Sequence, residues 1–211
     1  MRNKTGYVLV SLFIFLMSFY LAYDASFDMT SCDEFFNTYF NVAQKYLYTI
    51  SIYMIPILYL SKTPFLQPEY FVRLRGKFFI YLFKRTVLVS LIVSGYIFNV
   101  YLLSAILFGL KFTFGLIYAI LFIRLFSFIF ACVVLYYVYY YLSSKVVLSI
   151  LSMFATNLLF LGILYGFNYY ILINTGSRAM DMLIFTIYKF VIIVSGTAYL
   201  GINLERKECL N

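Results

Sequence analysis

Apolar residues fill this chain in six long runs instead of alternating with polar ones: Gly6–Tyr23, Val42–Leu60, Thr86–Leu110, Phe112–Tyr141, Val146–Tyr170 and Met182–Ile202. Each is long enough to cross a bilayer as an α-helix, which takes roughly 20 mainly apolar residues at about 1.5 Å rise per residue. The fourth run exceeds one straight crossing and is expected to tilt or to extend past the hydrocarbon. Its end carries Tyr136, Tyr137, Tyr139, Tyr140 and Tyr141, whose rings fit an interfacial belt. The pattern predicts an all-α fold: a polytopic transmembrane helical bundle of six spans, forming a single domain over residues 1–211.

Composition makes lipid the solvent. Of 211 residues, 64% are hydrophobic and 11% charged, and the mean hydropathy is +0.94. Soluble domains are about 45–50% apolar and about 25% charged, so this chain lacks the polar surface to cover itself in water. The net charge of +8 bears on topology and not on nucleic acid, because Lys and Arg are retained on the cytoplasmic side during insertion. With the N-terminus inside, eleven of the sixteen basic residues are cytoplasmic: Arg2, Lys4, Lys62, Arg73, Arg75, Lys77, Lys84, Arg85, Lys145, Arg206 and Lys207. Only Lys111 and Arg178 fall in external loops, and Lys45, Arg124 and Lys189 fall within spans. The first external loop is acidic instead, with Asp24, Asp28, Asp33 and Glu34. Both termini are therefore expected in the cytoplasm, in a multi-pass protein of the cell membrane. Abundant Phe, Tyr, Ile, Leu and Asn, with no Trp or His, point to an AT-rich bacterial genome and hence to a bacterial cytoplasmic membrane.

Arg2 and Lys4 ahead of an apolar run also resemble a secretory signal, but the run exceeds a signal core and Ala22-Tyr23-Asp24-Ala25 is a poor cleavage site. The first span is read as a retained anchor. The topology places Cys32 outside, Cys132 within the membrane and Cys209 inside, so no disulfide pair is expected.

Missing residue types narrow the chemistry. Without histidine, neither a serine–histidine dyad nor a histidine-ligated metal can be built. None of the six runs contains Asp or Glu, which excludes paired aspartates for proteolysis and the usual buried carboxylate of a proton-coupled pump. Phosphate-binding loops and dinucleotide glycine patterns are also missing. The chain is expected not to be an enzyme and to hold no cofactor or metal, so that any ATP is bound by another polypeptide.

The most informative segment joins the second and third runs. Pro64 and Pro68 break the preceding helix, and an amphipathic helix can begin after Pro68, over residues 69–85. On it Arg73, Lys77 and Lys84 lie within about 40° of one another, forming a basic stripe beside Phe71, Val72, Phe78 and Phe79. A positive-inside loop on anionic lipid would have the same charges; a docking helix for a cytoplasmic partner would use them specifically. The run Tyr70-Phe71-Val72-Arg73-Leu74-Arg75-Gly76-Lys77-Phe78-Phe79-Ile80-Tyr81 resembles the basic–aromatic segment between the second and third spans of small six-span permease subunits of ABC-2-type exporters, those of bacterial peptide and bacteriocin export systems. The resemblance implies pairing with a second permease copy or paralogue and attachment of a cytoplasmic ATP-binding subunit. It implies partner coupling through Arg73, Arg75, Lys77, Lys84 and Arg85.

Three polar residues lie near mid-span: Asn99, Arg124 and Asn157. Arg124 lies about 18 Å into its run and should face the bundle, a partner or a hydrated path. Each is a candidate either for an interhelical clamp or for contact with cargo. Lys189, nearer a span end, can snorkel to the interface. Gly162 and Gly166 form a GxxxG pattern suited to close helix packing, within the chain or between subunits. The expected function is a transport permease exporting hydrophobic peptide or lipid-like cargo; the alternative is a non-transporting membrane immunity or regulatory protein that binds a peptide or membrane partner.

Overall fold

The computed structural model describes residues 4–32, 34–36, 78–112, 115–175 and 178–209. The span expected at Val42–Leu60 and most of the 69–85 segment lie outside the described residues. Among the described residues there are five long helices: α1 (Lys4–Asp28), α2 (Phe78–Leu107), α3 (Leu116–Ser143), α4 (Val146–Thr175) and α5 (Arg178–Cys209). Three stretches among the described residues are long and apolar enough to cross a membrane: Phe79–Leu107, Leu116–Ser143 and Thr186–Asn203. Large apolar side chains including Leu88, Leu116, Ile123, Leu159 and Phe190 are exposed on these helices, as suits a surface wetted by lipid.

Helix α2 differs from its expected span. It starts at Phe78, ahead of Thr86, and runs unbroken to Leu107, so Lys84 and Arg85 lie on the same rod as the apolar span. It stops where Gly109 takes a left-handed φ of 82°, while the amides of Gly109 and Leu110 bond back to the carbonyls of Ile106 and Ala105. A residue without Cβ suits that reversal.

The chain folds as two compact units, one of residues 1–59 with 91–127 and one of 60–90 with 128–211. In the first, α1 lies along α2. Ser11 and Tyr96 share a hydroxyl hydrogen bond, Ser18 and Ser104 share another at 3.1 Å, and the rings of Tyr23 and Phe108 are 5.6 Å apart. The nearly constant offset between partners means that α1 and α2 run parallel. Their far ends are clipped together: the Cys32 amide donates to the Lys111 carbonyl and the Lys111 amide to the Thr30 carbonyl, at 3.0 and 3.1 Å. Beyond the clip, Phe36 packs against Phe98 and Tyr118, and Ile14, Phe35, Phe36, Ile97, Tyr101 and Leu121 are all buried.

In the second unit α3 is central: Phe128–Val134, Tyr136 and Tyr137 are all buried. Two residues, Ser144 and Lys145, connect it to α4; Ser144 makes the reversal at a φ of 55°. Helix α5 runs parallel to α3, since Val134 faces Gly196 and the Tyr141 hydroxyl donates to the Asn203 carbonyl at 3.3 Å. The expected tyrosine belt is corrected here. Tyr136 and Tyr137 are buried within the protein, so their rings are covered by neighbouring helices, and Tyr139, Tyr140 and Tyr141 are half-buried. Three of the hydroxyls bond protein groups: Tyr137 with Arg85, Tyr139 with Thr156 Oγ1 at 2.6 Å and Tyr141 with the Asn203 carbonyl at 3.3 Å.

Candidate functional site

The polar groups of the second unit converge on Asn157, which is 3% exposed on α4. Its Nδ2 donates to the Met153 carbonyl one turn back at 2.9 Å and faces Cys132 Sγ of α3 at 3.8 Å. Its Oδ1 accepts from the Tyr188 hydroxyl of α5 at 3.4 Å. The Tyr188 ring lies flat on Phe160, with centroids 3.5 Å apart and planes 6° from parallel. One amide therefore joins three helices, using both its donor and its acceptor. Such a satisfied group holds helices in register and has little left with which to bind a ligand.

Lys189, next to Tyr188, is 5% exposed. This corrects the expected snorkelling: its position shares one face of α5 with Ile192, Gly196 and Leu200, all covered by protein. The sequence assigns no site role to Cys132, Tyr188 or Lys189, because each sits in an apolar run without a motif. The available signal was the spacing of 189, 192, 196 and 200, which marks one helical face.

Arg124 is half-buried on α3, takes part in interactions of its own, and its carbonyl accepts from the Ser127 hydroxyl at 2.8 Å. Asn99 is exposed on α2, with one amide hydrogen bonded to the Gly95 carbonyl at 2.7 Å. Asn99 and Arg124 belong to one unit and Asn157 to the other. Arg73, Arg75 and Lys77 lie outside the described residues; Lys84 is exposed, and half-buried Arg85 hydrogen-bonds the Tyr137 phenol. Gly162 and Gly166 are exposed, and a Cβ built at either meets nothing within 4 Å. A tight intrachain glycine contact occurs at Gly196, opposite Val134.

Among the described residues no three His, Cys, Asp or Glu side chains gather as a metal site would require. No protein-family model matches the chain, and neither does any curated protein or solved structure.

Proposed function

We propose that this protein is the membrane-spanning permease subunit of an ATP-driven exporter, with hydrophobic peptide or lipid-like cargo and a separate cytoplasmic ATP-binding subunit. The observation that carries the reading is the continuity of α2. Lys84 and Arg85, the last basic residues of the segment that resembles an ABC-2 coupling region, stand on the same unbroken 30-residue helix as the apolar span. A push on residues 69–85 by a partner would move a rigid rod that reaches across the membrane, so coupling would be mechanical. The Arg85 contact with Tyr137 ties the base of that rod to α3.

The same reading takes six crossings with both termini inside, in a bacterial cytoplasmic membrane. Parallel α1 and α2 support it. Phe36 packs beside Phe98, twenty residues along α2 from Phe78, a distance of about 30 Å. The sequence between Phe36 and Phe78 contains the apolar run Val42–Leu60, which is long enough for the return crossing that this topology takes. A reporter fused after Asn37 is expected to be external and one inserted near Gln67 cytoplasmic. Finding both on one side of the membrane contradicts the six-span topology.

The functional test is purification in mild detergent from the native host. A stoichiometric ATP-binding subunit is expected to accompany the chain. Changing Arg73 and Lys77 together to Gln should lower complex recovery and transport-coupled ATP hydrolysis severalfold while membrane yield and topology hold, because Lys62, Arg75, Lys84 and Arg85 still keep the segment inside. Full recovery and activity in the double variant would remove the electrostatic docking role. A chain recovered alone with a bound peptide toxin would favour the immunity reading.

A further inference from the structure

Asn99 lies six residues from the centre of the 79–107 span, about 9 Å along the helix and so within the hydrocarbon. It is exposed there. Among the described residues its amide makes one bond, to the Gly95 carbonyl of its own helix, which leaves the second N–H and the carbonyl oxygen to be satisfied by something else. Lipid offers neither group a partner. Exposed Ser195 on α5 differs in this respect, because its single hydroxyl hydrogen is bonded to the Val191 carbonyl at 2.6 Å.

Leu88, Ile92, Gly95, Asn99, Leu103 and Ile106 follow one another at spacings of 4, 3, 4, 4 and 3, which keeps them within an arc of about 80° on α2. The four aliphatic members are exposed, and a Cβ built on Gly95 meets nothing within 4 Å. This is an apolar ridge with a shallow notch and an unsatisfied amide at its middle.

We propose that this ridge is a self-association seam, on which a second copy of the chain packs α2 against α2 with the two Asn99 amides bonded to each other. Copies of one chain insert with the same topology, so a twofold axis between them lies along the membrane normal and brings identical residues to identical depth. A primary amide carries both a donor and an acceptor, so its own copy completes both bonds. Neither a cation nor an anion would do so, and the ridge carries no charge for either to meet. The notch at Gly95 lets the two backbones approach closely enough for the amides to reach. A second copy is also what the exporter reading expects, but the seam rests on α2 itself and stands without an ATP-binding partner.

The test uses the full chain alone in phosphatidylcholine liposomes, with donor and acceptor fluorophores on its C-terminus, across a range of protein-to-lipid ratios. Energy transfer above random proximity is expected and should fall on dilution. Asn99→Leu should raise the ratio needed for half-association by about three- to tenfold; Asn99→Gln should keep most of the association, and Ser195→Leu should change nothing. In a Cys209→Ser background, oxidation of the Asn99→Cys variant should give a disulfide between copies. The proposal is overturned if wild type shows only random transfer at every ratio, or if Asn99→Leu associates as wild type does. It is equally overturned if the Asn99→Cys variant cross-links only to a cysteine introduced within residues 42–60 of its own chain. Because no nucleotide is present, this result is separate from the fate of the exporter reading.

Discussion

Gly196→Ala is expected to destabilise the protein, whereas Gly166→Ala leaves it unchanged or stabilises it. A Cβ on Gly196 would stand 2.5 Å from Val134 Cγ1 and 3.5 Å from Val138 Cγ2. Val134 cannot step aside, because it is buried and a β-branched side chain in a helix has one strongly preferred rotamer. The helices must separate or a rotamer must be forced, at a cost of about 1–3 kcal/mol. That corresponds to roughly 2–4 °C of unfolding midpoint per kcal/mol for a chain of this size. At Gly166 the new methyl meets nothing within 4 Å, and alanine favours helix over glycine by about 0.8–1 kcal/mol. Thermal unfolding in mild detergent, followed by monodispersity on size-exclusion chromatography, measures both. Val134→Ala combined with Gly196→Ala should recover stability relative to Gly196→Ala alone. Equal midpoints for the two glycine variants would contradict the close α3–α5 contact.

Asn157→Asp is expected to be the most damaging isosteric change in the second unit. The side chain keeps its shape but replaces the donor that faces the Met153 carbonyl and Cys132 Sγ, and it puts a carboxyl where the span has none. A centrally placed Asp costs about 2.5–3.5 kcal/mol on insertion scales. Asn157→Ala loses the same bonds and the acceptor for Tyr188 without adding charge; interhelical hydrogen bonds in membranes contribute about 0.6–1.7 kcal/mol each. Membrane yield and thermal midpoint should therefore fall in the order wild type, Asn157→Ala, Asn157→Asp. If the Asp variant matched wild type in both, the site would be hydrated or in contact with a partner, and the clamp reading of Asn157 would fail.

These two expectations depend on features that a one-dimensional reading distributes differently. The sequence marks Gly162 and Gly166 as packing glycines because they recur at a spacing of four, yet the close contact is at Gly196, where α5 meets Val134. It treats Asn99 and Asn157 as equivalent mid-span amides, yet one is exposed and the other is 3% exposed among three helices. It assigns Tyr136 and Tyr137 to a headgroup belt, yet both are buried. Five basic and polar residues are legible by type alone on α2, α3 and α4, namely Lys84, Arg85, Asn99, Arg124 and Asn157; their surroundings are not.

What the sequence determines by itself is the solvent and the kind of element. Long apolar runs free of carboxylates can satisfy their backbone in hydrocarbon only as helices, and α2 through α5 all form where such runs occur. The tertiary structure decides which face of each helix meets protein. A helix that is apolar all round has no stripe to mark its buried side, since a leucine against lipid and a leucine against leucine look alike in hydropathy. Inside and outside are then separated by shape: a missing Cβ at Gly196, a flat ring pair at Phe160 and Tyr188, and the partners that an amide happens to reach.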